Sequence, residues 1–424
     1  MPSLIAALAT PDRRLWRLPR REGFWAVAFS FFAVTVLSTT PSGLYSLYEQ
    51  REGLTSITIT IVYAVYGAGT VASLLLVGHV SDWYGRRPVL VSGVLTAILS
   101  AVVFITLKSL PGLLVARLLS GIALGATVAT GTAYLLDLDL DSAGLPSRRS
   151  GIVATLANIG GLAVGPLLAG LLARYEPDGL TLPYEVVLAA LVLAAVAALS
   201  APEGHPRVGP RPRYRPQHLR LPDKARPQFV AAVSGAFLSF AAFGMFAGLA
   251  GTFLAGPLHH PSSALAGFTI FVNFGSGVVM QTTTTRWPLR RLLSIGILLT
   301  TTGLIVVVVS TWISPPSLAL FIIGGAVVGA GCGGIFRGGL TLVISTADAN
   351  DLAGALATFF VAGYAGLCVP VIGLGIALQH LTPRVTLLLF GVLVGLGTVA
   401  AAPVLLGRPA HRSLRHSDDP ARSA

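Results

Sequence analysis

Residues 78–88 read GHVSDWYGRRP, an aspartate and two adjacent arginines set between two long apolar stretches. Only 11% of the 424 residues are Asp, Glu, Lys or Arg, whereas 54% are hydrophobic and the mean hydropathy is +0.77. Soluble domains carry about a quarter charged residues, so a chain with so few cannot cover its surface in water. Lipid is the expected solvent for most of it, and charges packed into one short loop there need a reason.

The net charge of +12 does not point to nucleic acid, because the basic residues fall in short gaps between apolar runs and at the termini. Cys332 and Cys368 lie singly within apolar stretches and make neither a zinc pattern nor a disulfide framework. No metal or cofactor is expected. The N-terminal apolar run Leu4–Ala9 is too short for a signal peptide and precedes the basic cluster instead of following it.

A bilayer takes about 20 apolar residues per helix. Runs of that kind fall at 24–47, 54–77, 88–107, 111–136, 150–173 and 184–201, then at 229–255, 263–285, 292–312, 317–346, 352–379 and 385–406. The chain thus reads as a tail (1–23), six helices (24–201), a linker (202–228), six more helices (229–406) and a tail (407–424). With both termini in the cytoplasm, 23 Lys and Arg fall on the inner side and four on the outer, as the positive-inside rule requires. A multi-pass protein of the plasma (inner) membrane is expected, working as a monomer. The stretch 201–228 holds seven prolines and seven Lys or Arg, so it reads as a basic tether lying against anionic lipid heads.

The two sets of helices repeat. Trp83 and Arg86-Arg87 line up with Trp287 and Arg290-Arg291 at an offset of 204, and Gly121 and Gly125 with Gly325 and Gly329 at the same offset. GLAVGPLLAG at 161–170 matches GLCVPVIGLG at 366–375 at 205. Duplicated halves with a site between them suit alternating access, in which one half rocks against the other.

The opening stretch closely resembles the loop 2–3 signature of the major facilitator superfamily. Gly78, Asp82, Gly85, Arg86 and Arg87 match its pattern, between the second and third spans, and the likeness in plan runs from about residue 20 to 406. The resemblance implies an all-α membrane fold of two pseudo-symmetric six-helix bundles. It also implies that Asp82 braces the start of helix eleven, near Leu352, as an inner latch. The second-half copy keeps Arg290-Arg291 but has Arg286 in place of the Asp and Leu289 in place of the Gly.

Two arginines fall within spans. Arg117 sits about six residues into helix four, where a charge is expensive and a functional role is the default. Arg117, Gly121 and Gly125 resemble the family's helix-four motif, whose Arg is linked to proton coupling; snorkelling to the outer interface is the alternative. Arg337 on helix ten has Asp348, Asp351 or an anionic substrate as candidate partners. On helix five Gly161, Gly165, Pro166 and Gly170 resemble the antiporter signature, although the upstream glycines, Gly151 and Gly160, are one place off. Pocket candidates are Thr39, Tyr63, Tyr66, Asn158, Asn273 and Tyr364. The stripe Phe237, Phe240, Phe243 and Phe246 reads first as packing. No carboxylate lies deep in helix one, and Asp137 and Glu185 are the proton-carrier candidates.

The chain carries neither a phosphate-binding loop nor a catalytic constellation, so it reads as a gradient-driven transporter and not an enzyme. Its leading function is proton-coupled efflux of small amphipathic molecules or drugs. Uptake or facilitated diffusion of an anionic metabolite is the alternative.

Overall fold

The computed structural model describes residues 17–78, 80–140, 147–175, 179–204, 218–221, 226–348 and 351–407. Most of both tails and of the linker read from the sequence lie outside the described residues, and α1 begins at Arg20, inside the stretch read as the N-terminal tail. Twelve helices are long and apolar enough to cross a membrane. In the first half they are α1 (Arg20–Gly43), α2 (Ser56–Leu76), α3 (Arg86–Thr106), α4 (Leu110–Leu138), α5 (Arg149–Leu172) and α6 (Leu182–Ser200). In the second they are α7 (Arg226–Ala255), α8 (Ser263–Thr283), α9 (Leu289–Trp312), α10 (Leu318–Thr346), α11 (Leu352–His380) and α12 (Pro383–Leu406). Odd-numbered spans start at the face that carries the linker, and even-numbered spans start at the opposite, far face.

Local chemistry places the helix ends. Thr55, Ser262, Ser317 and Thr382 open α2, α8, α10 and α12 at the far face, each hydroxyl accepting from the N–H three residues on at 3.3–3.5 Å. Such a cap stabilises a helix end by about 1 kcal/mol. Burial sorts the spans into layers: the apolar window of α1 is 83% buried and that of α12 only 33%. α1, α4 and α7 are therefore central, and α3, α6, α9 and α12 turn apolar faces such as Leu393 and Leu396 outward.

Within each half, small residues let helix backbones touch. Gly121 of α4 rests on the Tyr66 carbonyl of α2, and Gly329 of α10 rests on the Asn273 carbonyl of α8. This corrects the register of the repeat. α4 and α10 start 208 residues apart, at Leu110 and Leu318, so Gly121 corresponds to Gly329 and not to Gly325. The equivalent of Arg117 is then Gly325, whose carbonyl accepts from Asn273 Nδ2 at 2.8 Å. Loop-length differences between the halves shift this register while leaving the loop 2–3 match in place.

In α5 the residues Leu156–Gly160 form a π-helical turn, which takes up one extra residue. The Ala157 carbonyl in this turn is satisfied from α1, by Thr35 Oγ1 at 2.6 Å.

Candidate functional site

The two halves meet at the far face. Gly170 of α5 lies against the Ser263 carbonyl of α8, and Gly267 of α8 against the Pro166 carbonyl of α5. Gly375 of α11 lies against Thr60 of α2, and Ser46 and Ser263 hydroxyls sit 3.2 Å apart. The helix-five residues thus divide their work: Gly161 and Gly165 pack on α1 within the first half, while Pro166 and Gly170 form the seam between halves.

Below this seam lies a cavity between the halves. α1 contributes Thr39, α2 Tyr63 and Tyr66, α5 Ile159 and Leu162, α7 Phe240 and Phe243, α8 Phe274 and Gln281, α10 Phe336, and α11 Tyr364 and Leu367. The aromatic rings hold one another: Phe243 stacks on Phe274 at 4.6 Å, and Phe240 meets Phe336 at 5.1 Å and Tyr364 at 5.6 Å. The cavity is narrow, with a volume of only about 30 Å³. A drug-sized ligand therefore enters only if the walls part. Among the described residues no charged side chain lines it.

Four of the pocket candidates from the sequence, Thr39, Tyr63, Tyr66 and Tyr364, come together here. Asn273 does not; it is fully buried and ties α8 to α10. Asn158 lies in the π-helical turn and is not on the wall. Phe240 and Phe243, read from the sequence as packing, form part of the wall, whereas Phe246 packs on Phe321. A stripe of helical period does not reveal which of its members face the partner half.

Arg117 is fully buried, which rules out snorkelling. Its guanidinium donates to the Ser38 carbonyl at 2.7 Å and to the Tyr45 hydroxyl, and it lies 5.2, 5.9 and 5.4 Å from the ring centres of Tyr45, Tyr63 and Tyr66. Arg337 is half-buried and donates to the Gln281 carbonyl at 2.6 Å and to Thr284 Oγ1 at 3.3 Å.

At the linker face, Gly85 adopts φ 99°, a conformation that a side chain disfavours, and so turns the chain into α3. Arg86 then acts as a hub. Its side chain bonds Ser81 Oγ at 2.8 Å, Asp82, and Asp137 Oδ2 at 3.0 Å, and its N–H donates to Glu203 Oε1 at 2.7 Å. The Arg87 N–H reaches the same oxygen at 3.4 Å. Gly78 ends α2 in a turn, its N–H on the Ser73 carbonyl at 3.2 Å. Glu203, in the segment after α6, escaped the sequence reading because nothing local marks a cap made from 117 residues away.

The brace expected between Asp82 and the start of helix eleven is not made in this conformation. Asp82 bonds Arg86, and Asp351 pairs instead with Arg220 of the linker at 3.3 Å. The Arg220 backbone also donates to Thr358 Oγ1 at 3.2 Å and accepts from it at 3.1 Å. With the halves joined at the far face, each part of the latch is satisfied near its own half.

Replacing Arg86 with Ala is expected to destabilise the folded protein by about 1–2 kcal/mol, mainly because the partly buried Asp137 loses its cation. Asp82→Ala should cost under about 0.5 kcal/mol, since that carboxylate is 57% exposed. Thermal unfolding of the two purified variants in detergent checks the order.

Neither proton-carrier candidate from the sequence reaches the cavity: Asp137 is ion-paired to Arg86, and Glu185 is exposed in the first turn of α6. The carboxylate set between the halves is Glu49. It lies in a short helix, Tyr45–Glu52, that follows α1 at the far face. Ser56 Oγ donates to Glu49 Oε1 at 3.0 Å, and Thr252 Oγ1 of α7 lies 3.4 and 3.5 Å from its two oxygens. Burial pushes its pKa above the ordinary carboxylate value; the two hydroxyls offset part of this, and no charged group contributes.

The family model described as Major Facilitator Superfamily matches residues 23–284, more than half of the chain. Multidrug resistance protein MdtL of Klebsiella pneumoniae is 25% identical over 194 residues, which cover 44% of this chain and 47% of that protein. Inner membrane transport protein YnfM of Escherichia coli is 28% identical over 150 residues, 35% of this chain and 34% of that one. The chain thus matches less than half the length of these curated relatives. The solved structure of a peptide transporter POT superposes with a TM-score of 0.72 at 14% identity, covering 91% of this chain and 93% of that one, a likeness of fold alone.

Proposed function

The chain belongs to the Major Facilitator Superfamily, and from that premise we propose that this secondary transporter exports small amphipathic organic molecules in exchange for protons that enter down their gradient. It would do so as a monomer in the inner membrane, with the linker face and both termini in the cytoplasm. The observation that carries this reading is the cavity between the halves, walled by aromatic rings and free of charged side chains. Such a wall recognises size and apolar surface more than any one polar group, which suits loose selectivity. The helix-five motif and the likeness to a multidrug resistance protein support export. Passage of an anionic metabolite through direct pairing with Arg117 or Arg337 is less well supported, because neither lines the cavity.

Glu49 is the group proposed to link protons to the far-face gate. Its pKa is raised by burial while the seam is closed and would fall back towards the ordinary carboxylate value once opening hydrates it. Protonation therefore favours the closed seam; that stabilisation is present at acid pH and lost as pH rises through the raised value. A cysteine introduced by Ser263→Cys should react with an impermeant thiol reagent more slowly at acid than at neutral external pH, once each rate is divided by that of free cysteine at the same pH, because the thiolate is the reactive form. Glu49→Gln, which mimics the protonated acid, should give a slow normalised rate at every pH; an unchanged pH dependence of the normalised rate would remove Glu49 from this role.

Transport itself is tested with purified protein in liposomes that enclose a pH-sensitive dye, under an imposed proton gradient and a panel of amphipathic compounds. Substrate-dependent proton movement is the expected result. Substrate flux without proton movement would sink the antiport reading.

A further inference from the structure

Arg117 is a fully buried cation inside the first bundle, and no described carboxylate forms an ion pair with it. The ten described Asp and Glu residues all stand outside the twelve spans or in their terminal turns. Its partners are the Ser38 carbonyl, the Tyr45 hydroxyl and three aromatic faces, and its Nε has no hydrogen-bond partner. Dipoles of this kind solvate a charge without cancelling it. A net positive charge therefore persists in the bundle interior, where water does not screen it.

Two of the rings that face this cation, Tyr63 and Tyr66, are also walls of the cavity. A ligand on their other side lies within about 10 Å of the guanidinium, where at an effective dielectric of about 20 one unit charge changes affinity by roughly tenfold. No carboxylate lines the cavity to reverse that sign.

We propose that Arg117 sets the charge selectivity of the cavity through the Tyr63–Tyr66 wall, so that the transported molecules are amphipathic anions and organic cations are rejected. This rests on the transport reading above and names its substrate class. It differs from direct pairing, because the cation acts from behind the two rings and the substrate needs no contact with it. Uncharged amphiphiles occupy the middle of the order. Tyr63 and Tyr66 offer hydroxyls and ring edges towards such a carboxylate without adding a charge of their own.

Three probes on one aryl-alkyl scaffold, ending in a carboxylate, a carboxamide and an ammonium group, test this with the full-length protein in liposomes. Saturable flux and its competition are measured for each. Wild type is expected to transport the carboxylate at least about tenfold better than the ammonium probe, with the carboxamide between. Arg117→Met should level the series, and Arg117→Lys should keep its order. Should Arg117→Met fail to fold, wild type and Arg117→Lys still decide the matter. Equal or better transport of the ammonium probe by wild type overturns the assignment while leaving the transporter reading in place. Absence of flux for all three, with or without a gradient, overturns both.

Discussion

Gly170→Val is expected to stop transport while leaving a folded protein. A side chain at this position falls inside the Ser263 carbonyl and against the backbone of Ala264 in the opposite half. Backbone cannot rotate away as a side-chain tip can, so the two halves must separate at the far face to make room. Overpacking of this kind costs about 1–3 kcal/mol, which shifts the balance away from the closed seam by roughly fivefold to 150-fold. The cost falls on one conformation only, since the contact exists only where α5 and α8 close on each other. Transport should drop by a similar factor and impermeant reagents should label Ser263→Cys faster, with the unfolding temperature nearly unchanged. Normal transport by Gly170→Val would mean that this seam does not need to close.

Gly329→Val is expected to do the reverse. Here the added side chain meets the Asn273 carbonyl of α8, within the same half. In alternating access each half moves largely as a body, so the α8–α10 contact persists in every conformation. No population shift relieves the clash, and the full cost falls on folding: about 3 kcal/mol or more, against a gain of only about 0.3–0.5 kcal/mol in helix propensity when valine replaces glycine. Loss of monodisperse protein on size exclusion and a marked fall in the unfolding temperature are the expected readouts. The same substitution in two glycines thus separates a gate contact from a structural one. A Gly329→Val variant that is stable and merely slow would place the moving boundary inside the second half.

These two outcomes could not be told apart from the sequence, because both residues are glycines within apolar helices. The loop 2–3 stretch was different: its chemistry is local, and Gly85 and Arg86 do in the structure what their spacing requires, a left-handed turn followed by a helix start held by ion pairs. Arg117 was legible as an anomaly, a charge where none is affordable, but not as a cation enclosed by Tyr45, Tyr63 and Tyr66. Glu49 was visible only as a carboxylate near a span end. Its importance comes from Thr252, 203 residues away on the other half.

By itself the sequence determined the twelve spans, the two-fold plan and the family. Hydropathy, charge placement and motif spacing are properties of neighbours along the chain, and the bilayer turns them directly into helices. The tertiary structure alone decided which face of each helix meets the other half, which glycines lie on the seam, and which carboxylate lies between the halves. It also showed that the latch residues are satisfied apart and that the repeat is shifted by four residues in α10. Each of these depends on groups far apart in sequence being brought within a few ångströms, and helical periodicity leaves the rotation and register of each packed helix open. In a chain apolar on nearly every face, only packing supplies that information.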